Sequence, residues 1–328
     1  MKYKRNTKRH SVVGRGEYMS TADFIQEYYC NIEKCRQFFF DAKWPNGYVC
    51  NRCGNTHYYY MKGHKVYRCS KCKHEESVLA HTVFEQCKLA LNILLYGIFL
   101  VFSNKNGISS ENLAIELKIN YKTACLLNTK CRILMRKSNS EKRLDSKFYE
   151  SDVAYIGSPT EGKPGLSTDK QPVLFVLSTD KKNQYPRHIK LREIEVDNTD
   201  NIKGFFDQYV FISKDATLTT DGKNTVNFLK NEMVVDNEKI DYDEPNHNLW
   251  FLNICISNFN SMLIGTYHGI DKKMLPLYLS EYEWRFNHRK TRNYLSKIKK
   301  YIQKSMSMKK KNIQNAMTIY FAKRTNLA

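Results

Sequence analysis

The stretch Glu150-Ser151-Asp152-Val153-Ala154-Tyr155-Ile156-Gly157 decides the fold, because Asp152 to Ile156 has strand composition and places an acidic residue within the first strand of a large domain. Further strands are read at Pro172 to Ser178, His188 to Glu195 and Ala216 to Thr220, and helices at Asp200 to Tyr209, Thr225 to Asn231 and Leu249 to Leu263. Three strands in succession, then a helix and a fourth strand, predict an α/β domain built on a mixed sheet flanked by helices. Asp221 ends the fourth strand, in Leu218-Thr219-Thr220-Asp221-Gly222. If the two strands are neighbours and present Asp152 and Asp221 at one edge, the carboxylates can share divalent ions of the kind that promote phosphodiester cleavage. On spacing alone a competing reading stands, in which each Asp caps a turn.

The chain has 328 residues, enough to bury a sizeable core and to divide into a small module plus a larger domain. Its 53 Lys and Arg outnumber 33 Asp and Glu, and the net charge of +20 points to a polyanionic partner, nucleic acid first of all. The longest apolar run, Leu89 to Phe102, is interrupted by Asn92, Tyr96 and Gly97, so neither a spanning helix nor a membrane partner is expected. Met1-Lys2-Tyr3-Lys4-Arg5 leads into polar residues and not into a secretory signal. An intracellular location is expected, cytoplasm or nucleoid in a bacterium and nucleus in a eukaryote. There the ten cysteines do not form a disulfide framework. Cys30, Cys35, Cys87, Cys125, Cys131 and Cys255 show no paired spacing and read as buried or incidental thiols.

Upstream of the large domain the chain divides into three parts. Residues 1–20 read as a basic tail, either solvated or used as a phosphate-binding arm. Residues 21–80 hold an N-terminal helix, Thr21 to Phe40, and a metal module. Residues 81–140 begin with a long apolar helix from Phe84 to Phe102 and break at Asn106-Gly107. A helix from Ser109 to Leu117, the turn Lys118-Ile119-Asn120 and a second helix from Tyr121 to Met135 follow, with Ser109 or Ser110 and Asn120 as caps. As a helix-turn-helix this pair would carry Lys122, Thr123, Asn128 and Lys130 to a major groove. A plain helical hairpin fits the spacing equally. The polar stretch Arg136 to Ser146 marks the boundary to the large domain, residues 147–290. Residues 291–328 read as a basic helical tail, with Lys297, Lys299, Lys300, Lys304 and Lys309 to Lys311.

The metal module is the strongest local signal. Cys50-Asn51-Arg52-Cys53-Gly54 and Cys69-Ser70-Lys71-Cys72-Lys73 are two matched CxxC knuckles, and two such turns complete a closed tetrahedron of thiolates around zinc. His57 to Met61 and Lys65 to Arg68 supply the strands of a ribbon hairpin. With four protein ligands the ion has no open position, so it is structural. Arg52 and Lys71, with Lys62, Lys65, Arg68 and Lys73, can follow DNA phosphates or simply form a solvated basic face.

Taken together these motifs resemble the zinc-ribbon DDE transposases of bacterial insertion sequences, the ISXO-type group to which eukaryotic Merlin elements are related. The resemblance spans roughly residues 20–290. It is carried by Lys43-Trp44-Pro45-Asn46-Gly47-Tyr48-Val49-Cys50, Thr82-Val83-Phe84, Lys105-Asn106-Gly107-Ile108-Ser109 and Tyr121-Lys122-Thr123-Ala124. In the large domain it rests on Asp152 with Tyr155-Ile156-Gly157, then Asp221-Gly222, Gly265-Thr266-Tyr267-His268, and Tyr278-Leu279 through Trp284-Arg285-Phe286-Asn287-His288-Arg289.

The resemblance implies an RNase H-like fold, two Mg²⁺ or Mn²⁺ ions, binding of transposon ends, metal-dependent strand cleavage and attack of the freed 3′-hydroxyl on target DNA. A homodimer on paired ends is implied as well. Asp152, Asp221 and Asn253 fall at the metal-ligand positions. Many members carry Glu at the third, a lysine where this chain has Asn260, Glu after the first Asp where it has Val153, and His where it has Asn248. An Asn ligand leaves two negative charges where three are usual, which weakens Mg²⁺ binding. The alternative reading is a decayed or domesticated copy that binds DNA without cutting it.

Overall fold

Ser20 opens the folded chain with a capping box: its hydroxyl accepts from Asp23 N at 3.1 Å and the Asp23 carboxylate accepts from Ser20 N at 2.9 Å. The computed structural model describes residues 19–157, 170–182, 184–222, 224–238, 248–291 and 293–307. The basic tail expected before residue 19 and Lys309 to Lys311 lie outside the described residues. Helix α1 (Thr21–Phe24) runs into a wide π turn, Ile25–Tyr29. The single helix expected to Phe40 divides here, because Asn31 accepts from Lys34 N at 3.0 Å and caps a new helix, α2 (Ile32–Lys43).

Strands β1 (Tyr58–Met61), β2 (Val66–Cys69) and β3 (Glu75–Glu76) form an antiparallel ribbon. Rings of Phe40, Trp44, Tyr48, Tyr58 and Tyr67 join it to α2, with centroids 4.9–5.7 Å apart. Beneath them the buried Lys43 ammonium donates to Glu76 and to the Ser77 carbonyl, both at 2.7 Å. The ribbon is thus built onto the helices rather than hung from them.

Helix α3 (Leu91–Ser103) begins later than expected because residues 84–90 form turns. Helix α4 (Ser110–Leu117) is capped by Ser109, and Lys118 closes it in the left-handed region at φ 51°. Asn120 caps α5 (Tyr121–Ser140), whose last turns absorb the first part of the polar boundary.

The sheet domain follows. Strands β4 (Phe148–Ile156), β5 (Gln171–Lys181) and β6 (Gln184–Glu193) form an antiparallel meander. Helix α6 (Thr199–Tyr209) returns the chain to β7 (Thr217–Asp221), parallel to β4 on its other side, and β8 (Val234–Glu238) adds parallel to β7. The order β6-β5-β4-β7-β8 is that of an RNase H-like sheet. Strand β8 escapes a hydrophobic-pattern reading because it is a polar edge strand, with Val234 56% exposed.

One face of the sheet, with Tyr149, Val153 and Val176, packs on Ile202 and Phe206 of α6. The other, with Phe175, Leu177 and Leu191, packs on α7 (Trp250–Gly265) and α8 (Leu275–Asn287) through Leu252, Phe259 and Leu279. Burial on both faces explains the continuous apolar run of β5.

The segment after residue 291, expected as a basic helical tail, does form a helix, α9 (Tyr294–Ser305), but its apolar face lies inside the N-terminal core. Leu295, Ile298, Tyr301 and Ile302 are buried there, and Ser305 Oγ accepts from Val83 N at 3.1 Å. Its lysines occupy the opposite side, as an amphipathic helix requires.

Helices α5 and α8 join the two parts through a buried carboxylate. Glu281 accepts from Arg132 Nε at 2.7 Å, Arg285 Nη2 at 2.5 Å and the Tyr267 hydroxyl at 2.7 Å. Burial opposes its ionisation, but Arg132 and Arg285 outweigh burial and hold its pKa at about 2. A folded pKa depressed from 4.5 contributes stability above that value that is lost as pH falls toward 2. Glu281→Gln, which leaves two buried guanidiniums without their anion, is expected to destabilise the protein at pH 7 by about 3–5 kcal/mol. Denaturant melts should show the difference from the parent narrowing between pH 4.5 and 2; an unchanged midpoint at pH 7 refutes this role.

Candidate functional site

The four knuckle cysteines converge: their sulfurs all lie within 4.8 Å of one another, with Cys50 to Cys72 at 3.5 Å and Cys53 to Cys69 at 3.6 Å. Zinc–sulfur bonds of about 2.3 Å place tetrahedral sulfurs roughly 3.8 Å apart, so the set fits zinc. Backbone geometry makes the convergence. Gly54 N donates to the Cys50 carbonyl at 2.9 Å and Lys73 N to that of Cys69 at 3.1 Å, with both donors at positive φ, 72° and 60°.

Burial works against the Cys69 thiolate, yet N–H donors from Cys72 and Lys71 and the Asn55 amide outweigh it and bring its pKa to about 6. Against burial, N–H donors from Arg52 and Cys53 lower the Cys50 pKa in the same way. At Cys72 the His74 N–H is outweighed by burial and the three neighbouring sulfurs, which raise the pKa to about 11; a cation between the four would relieve that crowding. Arg52 and Lys71 occupy equivalent positions in the two knuckles, and both side chains are exposed.

The helical hairpin divides its expected DNA-reading residues. Lys122 is exposed and Thr123 half-buried, both in the first turn of α5. Asn128 and Lys130 are buried and do not face a groove. The Asn128 amide donates to Ile108 O at 3.2 Å and Ser110 Oγ at 3.1 Å, which ties α5 to the start of α4. Lys130 Nζ donates to Glu85 O at 3.3 Å, and burial lowers its pKa. Helix α5 is enclosed by α3, α4, α8 and α9 through its middle, and solvent reaches its first turn, at Tyr121 and Lys122, and its last turns, at Arg136 and Ser140.

At the sheet edge, β4 and β7 are adjacent and parallel, with Ser151 opposite Thr220. Asp152 and Asp221 are the next residue on each strand, at one level and on one face. That face is the α7 side, because Ala154 and Ile156 on β4 pack against α7 while Val153 and Leu218 point to α6. Asn253 lies in the first turn of α7. All three positions are half-buried.

A residue not singled out by its sequence context fixes this arrangement. Glu150 lies two residues before Asp152 on the same face, 1% exposed, and its Oε2 accepts from Leu252 N at 3.1 Å. The start of α7, with Asn253 next in sequence, is thereby anchored to β4 beside Asp152. Burial pushes the Glu150 carboxyl up to about 7, the Leu252 N–H pulling the other way. The available signal was its period-two spacing from Asp152 in a strand that is otherwise inward-facing and apolar.

The family description "ISXO2-like transposase domain" matches residues 146–287, and "transposase zinc-ribbon domain" matches residues 31–75. The chain belongs to the zinc-ribbon DDE transposases of the ISXO2-like group. Among solved structures, the transposase resembles chains of a pre-cleavage Mos1 transpososome and of the Mos1 strand transfer complex, each at 12% identity. The matches cover 61% of this chain and 75% and 74% of those chains, with TM-scores of 0.22 and 0.21. The comparison with curated proteins returns no match. No described helix is long and apolar enough to cross a membrane.

Two outcomes follow from the geometry of this transposase. Elemental analysis of the purified chain should find one zinc per chain, falling to none in Cys69→Ser, and chelation should melt the ribbon; retention of ribbon structure without metal would contradict a structural role. Glu150→Ala, which leaves Leu252 N–H buried without an acceptor, should cost about 1–3 kcal/mol and speed hydrogen exchange in the first turn of α7, with Glu150→Gln losing less. Unchanged exchange there would show that Glu150 does not hold the helix.

Proposed function

We propose that this transposase cuts the ends of its element in duplex DNA and joins the freed 3′-hydroxyl to target DNA, with Asp152, Asp221 and Asn253 as ligands for divalent ions. The observation that supports it is the shared level of Asp152 and Asp221 on adjacent parallel strands, beneath the turn that bears Asn253. Two carboxylates and an amide oxygen are hard donors and suit Mg²⁺ or Mn²⁺. When bound, such ions supply Lewis-acid stabilisation of the phosphoryl oxygens and activate the attacking group.

The protein's own residues set the stage. Asp152 and Asp221 fix the ligand positions through strand register, and Asn253 offers a carbonyl oxygen without adding charge. Glu150 holds the turn in place. Arg52 and Lys71 on the ribbon and Lys122 with Thr123 on the hairpin bind the element ends, and a net charge of +20 draws the duplex in. Synapsis of two ends makes the working unit a homodimer, whose mass on end DNA is open to light scattering.

Purified protein should nick a terminal inverted repeat in Mg²⁺ or Mn²⁺, and Asp152→Ala or Asp221→Ala should reduce this to background. Asn253→Glu should lower the Mg²⁺ concentration for half-maximal nicking, since it restores a third negative charge. Absence of nicking by folded protein with either ion sinks the proposal. Asn253 and Asn260 favour a second reading, a copy that binds ends without cutting them. Cutting by the Asn253→Glu, Asn260→Lys double variant alone would establish that reading, and cutting by the unaltered chain would dismiss it.

A further inference from the structure

A second cationic feature lies away from both the ribbon and the carboxylate edge. A cavity of about 150 Å³ opens where the end of α5 meets β6 and α8, lined among others by Lys142, Arg143, His188, Lys190 and His288. Its one carboxylate, Glu283, is already engaged by Lys190 Nζ at 3.0 Å and Arg192 Nη1 at 2.5 Å.

The surrounding cations are not neutralised in the same way. Lys142, Arg143, Arg289, Lys297 and Lys300 make no ion pair among the described residues. Arg143 donates to Val210 O, Arg289 to Phe286 O and Arg187 O, and Lys297 to Thr291 Oγ1. The nearby acids are spoken for: Glu141 pairs with Lys137 and Lys304, and Asp180 with Arg187. Asp145, next to the lining residue Leu144, is exposed.

These groups lie within one another's fields. Burial lowers the His188 pKa, and Lys142, Arg289 and Arg187 lower it further. Burial likewise lowers that of Lys297, with Lys142 and Lys300 adding to it. Concentrated positive charge in a walled recess is what a phosphodiester anion neutralises.

Resting on the DNA-binding reading above, we propose that this cavity and its rim, centred on Lys142 and Lys297, hold a backbone phosphate of the bound duplex. His188 and Lys190 alternate along β6 with Ile189 and Leu191 of the α7-side core, so they project to the α6 side of the sheet, the face opposite Asp152 and Asp221. The phosphate held here would therefore belong to a stretch of duplex passing the α6 side, apart from the carboxylate edge. A phosphate contact carries no base information, so the cavity would set the position of the DNA and not its sequence.

The test is the salt dependence of duplex binding by the full chain, read by fluorescence anisotropy with element-end and unrelated duplexes. Each phosphate contact removed should lower the slope of log K against log salt by about 0.9. The Lys142→Gln, Lys297→Gln pair should therefore flatten the slope by roughly one to two and weaken both duplexes equally. Lys142→Gln alone, at an exposed position, keeps the test valid if the double variant folds poorly, and should flatten the slope by about one. Slopes matching the parent in both variants, while Arg52→Ala weakens binding, would overturn the cavity and leave the DNA reading standing. No binding of any duplex by the parent would overturn both.

Discussion

The arrangement of this protein depends on one buried anion. Glu281 sits at the meeting point of α5, α8 and the turn after α7, where Arg132, Arg285 and Tyr267 all donate to it. Arg285 reaches on to the carbonyls of Val101 at 2.8 Å and Asn104, so the end of α3 is held by the same cluster. Placing three charges away from water is costly, and a well-packed apolar contact could match it in stability. What the cluster adds is direction. An apolar contact tolerates sliding, whereas the guanidinium forks meet their acceptors in one geometry. The helical part and the sheet are therefore locked at one relative orientation.

That lock changes what α5 can be. A recognition helix must lie free on one side along its length, yet α5 is covered by α3, α4, α8 and α9 and serves as the strut between the two cores. Asn128 and Lys130 have the polarity of DNA-reading residues but are spent on internal carbonyls and a hydroxyl. Of the expected DNA-reading residues on this element, only those in its first turn, Lys122 and Thr123, are left outside the core. Exposed cations are accordingly found on the knuckles, at this turn and around Lys142.

The pattern of what could be read from residues follows the range of the interactions involved. The zinc module was legible because CxxC turns are local and the ion dictates their spacing. Strands β4 to β7 were legible because burial writes itself into composition, and α4 and α5 because Ser109 and Asn120 are short-range caps. Strand β8 was not, since an exposed edge carries no apolar code. Helix α9 was legible as a helix but read as a tail because its four lysines suggest a solvated element, although Leu295, Ile298 and Ile302 already recur at the spacing of a buried face. The buried roles of Asn128 and Lys130 left no trace in the sequence, and that of Glu150 only its period-two spacing from Asp152. A polar side chain looks the same in sequence whether its partner is water or a carbonyl brought from another element.

The carboxylate edge shows how a site can keep its shape while its chemistry varies. The levels of Asp152 and Asp221 come from backbone pairing of β4 with β7, and the place of Asn253 comes from Leu252 N–H on Glu150. None of these interactions involves the side chain at position 253. The frame that places residue 253 is thus built from backbone pairing and from Glu150.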